Sequence, residues 1–258
     1  MLVLVEDMGL VEMRIKIFKR FILITVMIVF MAGILILLHQ VRLEDEIIPV
    51  IDNVEVIDNE TALLEDEKVN NIRILQEQYQ NSDIKGIISI AGEEKFKYPI
   101  VQGIDNEYYL NHNYQKEKDA YGSIYFDYRV NLDSSKKFLI YGHSSTRRNV
   151  PFNKLENYYD EEYYQKHKYI TLETETNIYR YEIFSVYVET NDFTYMNMNF
   201  DNDEEWYLHL LKIQNKSFYV TDVQLSEKDN ILIIQTCSNH PNYSKYSKKY
   251  LLIVSRRV

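Results

Sequence analysis

One cysteine in 258 residues excludes a disulfide within the chain and a cysteine-built zinc site. Glycine, with seven residues, and proline, with four, are too scarce for a collagenous, low-complexity or linker-dominated chain. Positive charge is also short. With 29 Lys and Arg against 39 Asp and Glu, the net charge is −10, which excludes nucleic acid as the main partner, because phosphate binding needs clustered cations. No internal repeat and no low-complexity tract is present, and no metal or organic cofactor is called for. What the sequence does have is 46% hydrophobic residues and 23 tyrosines beside 11 phenylalanines and one tryptophan. Tyr, Thr and Ile suit pleated, half-buried surfaces, so the composition points to β structure. A lone thiol, judged from the count alone, is expected to be a buried and inert small hydrophobe.

The compartment follows from residues 21–38, FILITVMIVFMAGILILL, eighteen residues without a charge. At helical rise they span ~27 Å, close to a bilayer's hydrocarbon thickness. Arg14, Lys16, Lys19 and Arg20 precede the run, and Glu44, Asp45 and Glu46 follow it. The asymmetry predicts residues 1–20 in the cytoplasm, 21–38 as an anchor in the lipid bilayer and the remainder outside. No A-x-A-like cleavage pattern follows the run, so an uncleaved anchor is expected rather than a signal peptide. Met13 opens a cleaner basic-then-apolar leader than Met1 does.

Residues 39–82 read as an extracellular spacer with an N-terminal helix, since Leu64, Val69, Ile72, Leu75 and Tyr79 recur at helical intervals. Residues 83–258 read as a catalytic domain of short strands. These are Gly86–Ile90, Tyr98–Gln102, Gly122–Tyr125, Lys137–Tyr141, Tyr169–Glu173, Tyr179–Glu189, Ser217–Val220, Asn230–Gln235 and Lys249–Ser255. Two helical inserts are expected, Asn153–His167 and Asp203–Gln214, the second capped by Asn202 or Asp203 with Trp206, Leu210 and Ile213 on one face. Strands at this spacing suggest a barrel or a sandwich.

Cys237 follows the apolar run Ile231-Leu232-Ile233-Ile234-Gln235-Thr236. His143 follows Phe138-Leu139-Ile140-Tyr141, with Gly142 allowing a tight turn between. Reactive residues at the ends of two rigid strands are what a thiolate nucleophile and its imidazole partner require. Five other histidines are present: His39, His112, His167, His209 and His240. His240 lies three residues past the cysteine, but Pro241 places it in a loop. Tyr158, Tyr159, Tyr163 and Tyr164 could line a peptide groove, though a packed helix face is the commoner use of such a cluster. Asp201, Asp203, Glu204 and Glu205 lack calcium-loop spacing and suit a helix N-terminus better.

From about residue 81 to the C-terminus the sequence resembles the sortase family, and within it class B. The resemblance rests on Asn81 to Ile88, on Tyr98-Pro99-Ile100-Val101-Gln102-Gly103 with Asp105-Asn106 and Tyr108-Tyr109-Leu110, on Tyr141-Gly142-His143, on Thr236-Cys237, and on the helix at Asp203–Gln214 before the cysteine strand. It implies a mostly β fold: a closed sortase-type β-barrel with two or more helical inserts, preceded here by the N-terminal transmembrane helix. It implies a cysteine transpeptidase that cleaves a C-terminal sorting signal of surface proteins, with Cys237 forming an acyl thioester. A peptidoglycan precursor amine then resolves the thioester, and His143 acts as general acid and base.

The family's third residue, an arginine opening the final strand, has no counterpart between Cys237 and Arg256. Lys248, Lys249 or Tyr250 stands there, depending on register, and Lys249 is the first choice as a source of positive charge. Lys245 could reach the sulfur if the preceding loop folds back. Arg256 is too far along a straight strand, ~23 Å away. Thr236 could lend its hydroxyl or backbone to the substrate, or be satisfied within its own strand. Two other functions fit less well. A pilin-polymerising sortase usually carries a lid and a second membrane helix, and a surface-anchored binding module with lost catalysis would explain the missing arginine.

Overall fold

The computed structural model describes residues 25, 27, 30–35 and 71–258, and the chain divides into two compact units, Met1–Val56 and Ile57–Val258. The anchor expected at 21–38 lies largely outside the described residues. Its described members are helical and exposed, and among described residues no helix is long and apolar enough to cross a membrane. The spacer's residues 39–70 also lie outside them.

The second unit opens with α1 (Asn71–Gln78), whose Ile72 and Leu75 are buried. Of the expected stripe, Ile72 and Leu75 are buried in this way, and Leu64 and Val69 lie outside the described residues. Eight strands follow: β1 (Ile84–Ile90), β2 (Lys97–Val101), β3 (Ile124–Phe126), β4 (Lys137–Tyr141), β5 (Tyr169–Thr174), β6 (Ile178–Glu189), β7 (Ile231–Cys237) and β8 (Tyr250–Arg257). They close into a barrel in the order β1-β2-β3-β4-β7-β8-β6-β5. The pairs β2–β3 and β4–β7 are parallel and the other six antiparallel.

Alternation along the strands builds the core. Phe138 and Ile140 of β4, Leu232 and Ile234 of β7, and Leu251 and Ile253 of β8 fill the interior with Phe126 and Ile183. Each such fully buried apolar side chain contributes ~1.5–3 kcal/mol. The odd-numbered residues of β4 and β7 and the even-numbered ones of β8 therefore face outwards. On β7 that outer face is itself buried as far as Ile233, which is why the strand reads as one apolar run. Over the outside lies α3 (Asp203–Gln214), with Trp206, His209, Leu210 and Ile213 buried and the Asn202 side chain accepting the Glu205 N–H at 2.9 Å. The acidic residues 203–205 form its first turn.

Two expectations are corrected. Asn153–His167 is not one α-helix: Pro151–Tyr159 is a 3₁₀ helix, and α2 (Glu161–Lys166) starts anew after Asp160, whose carboxylate caps the Glu162 N–H at 2.8 Å. An aspartate that accepts from a backbone N–H two residues on ends one helix and begins another. Of the tyrosine cluster there, Tyr158 and Tyr164 belong to the core. Ser217–Val220 is no strand. It is the turn leaving α3, held to β6 through Phe218 N–H to Val186 O at 2.8 Å, with Val220 94% exposed. Its apolar pattern has no sheet edge to join, because the barrel is closed.

Candidate active site

The parallel pairing of β4 with β7 sets Tyr141 beside Gln235, and the Gly142 N–H donates to Gln235 O at 3.2 Å. Two residues further along each strand come His143 and Cys237. Both therefore leave the same end of two neighbouring strands, which lie ~4.8 Å apart in a sheet. Gly142 serves this arrangement through space rather than turn geometry: a Cβ there would stand 2.5 Å from the ring of Phe152, itself fully buried. A larger residue would displace either the core ring or the histidine segment.

Both loops are then tied together. The Ser144 hydroxyl donates to Cys237 O at 2.5 Å, and Asn239 Nδ2 donates to Ser144 Oγ at 2.8 Å. The Asn239 N–H donates to Glu156 Oε1 at 2.8 Å, and Tyr159 shares a 2.6 Å hydroxyl bond with Ser238. His143 Nε2 lies 3.0 Å from Leu110 O, so Nε2 carries a proton donated to that carbonyl, and Nδ1 is left to exchange one. The edge of Tyr121 meets the imidazole at 6.3 Å between ring centres.

Cys237 is a free and exposed cysteine at the rim of β7. Protein on its inner side still desolvates the thiol and pushes its pKa up; Lys249 works against this, and the Glu156 carboxylate adds to it. Glu156→Gln keeps an oxygen for the Asn239 N–H but removes the charge. The variant is expected to lower the thiol pKa and speed Cys237 alkylation at neutral pH. The rate of iodoacetamide labelling against pH is the check, and an unmoved profile would refute the electrostatic role.

The other sequence candidates fall as follows. Lys249 is half-buried and its carbonyl accepts the Ser238 N–H at 2.9 Å; its charge acts on the thiol, but β alternation turns its side chain away from the face that Cys237 occupies. Tyr250 is the residue directly opposite Cys237. Arg256 pairs with Ile231 at the far end of the barrel and bonds Glu182 Oε2 at 3.2 Å, as the strand length predicts. Lys245 lies over the ring of Tyr246 and Lys248 over that of Phe193. Thr236 faces the interior with 1% exposure and its hydroxyl unpartnered, so that hydroxyl does not reach the cleft. His240 rests on Tyr159 and accepts the Asn242 N–H at 3.3 Å on Nδ1.

Sequence reasoning missed a polar floor on the outer face below Cys237. The Tyr141 hydroxyl donates to Asp127 Oδ2 at 2.8 Å, and Arg129 holds the same carboxylate through Nε at 2.8 Å and Nη2 at 2.7 Å. Desolvation would raise the Asp127 pKa, but the Arg129, Tyr141 and Asn106 hydrogen bonds outweigh it and hold the carboxyl at about 2. The Tyr195 hydroxyl donates to Gln235 Oε1 at 2.6 Å. Tyr141 and Gln235 each stand two residues before a reactive residue, so the period of two could have found them. Tyr195 lies in a single 3₁₀ turn, Phe193–Met196, too short for periodicity to give a signal.

Residues 93–257 match the sortase domain family. Sortase B of Listeria monocytogenes is 37% identical over 169 residues, which cover 65% of this chain and 68% of that protein. The solved Staphylococcus aureus sortase B–substrate complex is similar with TM-score 0.65 and 31% identity, over 73% of this chain and 84% of the other. Clostridium perfringens sortase B is similar with TM-score 0.64 and 30% identity, over 72% and 98%. With an eight-strand barrel that sets a cysteine and a histidine at the ends of two parallel strands, the chain belongs to the sortase family of cysteine transpeptidases and stands with its class B members.

Proposed function

We propose that the chain cleaves a C-terminal sorting signal of surface proteins and joins the acyl product to a peptidoglycan amine. The observation that carries this reading is the parallel pairing of Tyr141 with Gln235, each two residues before His143 and Cys237, with the two following loops tied through Ser144 and Asn239. His143 takes the thiol proton, and Sγ adds to the scissile carbonyl carbon. The C–N bond then breaks as the imidazolium returns that proton to the leaving amine. A thioester remains on Cys237. The acceptor amine attacks it and gives a proton to His143, the C–S bond breaks, and thiolate and imidazolium restore the starting pair.

Burial disfavours a standing thiolate here, so proton transfer accompanies attack, and Lys249 lowers its cost. The site we assign is therefore Cys237 as nucleophile, His143 as general acid and base, and Lys249 as the nearby charge. The apolar run 21–38 with its basic N-terminal flank supports anchorage in the lipid bilayer, single-pass, with the catalytic domain outside.

A peptide library incubated with the full chain tests the reaction when an added amine such as triglycine is present. The expected product is the acyl fragment joined to triglycine, detected by mass. Fragments that appear only as free acids, with no amine-joined product at any triglycine concentration, would contradict transfer.

A further inference from the structure

The antiparallel register sets Tyr250 directly opposite Cys237. Because the Ser238 N–H donates to Lys249 O at 2.9 Å, residues 238 and 249 form the hydrogen-bonded pair of that ladder. Cys237 and Tyr250 are then a non-hydrogen-bonded pair, with Cα atoms ~4.5 Å apart and side chains close together on one face. The half-buried Tyr250 ring is braced edge-on by Phe193 at 5.9 Å. Tyr141 and Tyr195 direct their hydroxyls to Asp127 and Gln235, whereas the Tyr250 hydroxyl has no such partner among the described residues. Tyr125 is a further tyrosine on the outer face, but it stands two strands from the thiol, on β3, and is 5% exposed.

We propose that the Tyr250 hydroxyl is the hydrogen-bond donor that holds the oxyanion formed when Cys237 adds to the substrate carbonyl. This rests on the transpeptidase reading above. As Sγ bonds to the carbonyl carbon, the C=O π pair moves onto oxygen, and the phenol donates to that oxygen without losing its proton. When the C–N bond breaks, the carbonyl re-forms and the hydrogen bond weakens. Tyrosine is long enough to carry its hydroxyl past the neighbouring sulfur to the carbonyl. Burial first and the neighbouring Cys237 second raise the phenol's pKa above its ordinary value, which favours the protonated, donating form. A neutral donor suits an oxyanion because it binds developing charge more strongly than the ground-state carbonyl.

Three variants test the assignment with a peptide selected from the cleavage library. Tyr250→Phe keeps the ring and should lower kcat about 100-fold with KM within about twofold, as expected for loss of one oxyanion donor. Tyr250→Arg restores donors and should hold kcat within about tenfold of the parent. Lys249→Met should shift the alkylation profile of Cys237 to higher pH, and whatever kcat it loses at neutral pH should return as pH rises, whereas the loss in Tyr250→Phe should persist at every pH tested. The library-selected peptide truncated at its cleavage site to an aldehyde, which forms a tetrahedral hemithioacetal on Cys237, should bind Tyr250→Phe at least about tenfold more weakly. The assignment is overturned if Tyr250→Phe keeps kcat within twofold, if only KM changes, or if Lys249→Met takes the 100-fold loss at every pH tested. A parent that cleaves no better than Cys237→Ala would instead overturn the transpeptidase reading, and this inference with it.

Discussion

Cys237→Ala is expected to abolish peptide cleavage, by roughly 10⁴-fold or more, while leaving the fold unchanged. A nucleophile that forms the covalent intermediate has no substitute, and mutating one member of such a unit removes nearly all of its rate enhancement. The side chain is exposed at the end of β7 and donates to nothing described, so its loss costs little stability, within about 0.5 kcal/mol. The Ser144 bond to Cys237 uses the backbone carbonyl and survives the substitution. Fragment release followed by chromatography, beside a melting curve, separates the two effects. Cleavage at the parent's rate would remove Cys237 from the mechanism.

Asp127→Ala is expected to cost about 3–5 kcal/mol, the largest stability loss in the site. The Asp127 side chain has no solvent exposure and accepts from Arg129, Tyr141 and Asn106. Removing it leaves a buried phenol, an amide and a partly solvated guanidinium without their acceptor, and breaking such a network is far costlier than never having made it. For a domain of this size the melting temperature should fall by roughly 6–20 °C. The pH dependence gives an independent check. The folded-state pKa is depressed to about 2 from 3.8, so Asp127 contributes stability that is fully present above about pH 4 and lost as pH falls through about 2. That contribution is at most about 2.5 kcal/mol, because Arg129 is 35% exposed and water screens the pair. Melting curves between pH 6 and pH 2 should therefore converge for parent and variant as the acid limit is approached. A melting temperature within 2 °C of the parent at pH 7, or a difference constant down to pH 2, would contradict this account.

The strands that build the core were legible because burial on both faces leaves apolar runs, as in Phe138-Leu139-Ile140-Tyr141 and Ile231 to Ile234. Cys237 and His143 stand out as candidates for the same reason, since each lies two or three residues past the end of such a run. What lay beyond reach depends on partners distant in sequence. Whether Lys249 or Tyr250 stands opposite Cys237 is a question of register, and a shift of one residue exchanges the two faces. The link from Asp127 to Tyr141 crosses the β3–β4 pairing and has no local signature. Lys137, in an apolar strand, reads as its polar first residue. It is 2% exposed instead, donating to Tyr195 O at 2.8 Å, and burial first and Arg129 second lower its pKa to about 7. Gly142 reads from the sequence as a turn residue, although what it supplies is room for Phe152.

The most direct test is to catch the acyl-enzyme. Full chain mixed with a library-selected sorting peptide and quenched in acid should carry the mass of the acyl fragment on the proteolytic peptide that contains Cys237. Triglycine added before the quench should remove that mass and produce the joined product. Cleavage that proceeds with no adduct on Cys237, or an adduct that the amine never discharges, would contradict a cysteine transpeptidase built on this pair. Absence of both cleavage and adduct from a folded chain would favour the surface-anchored binding module instead.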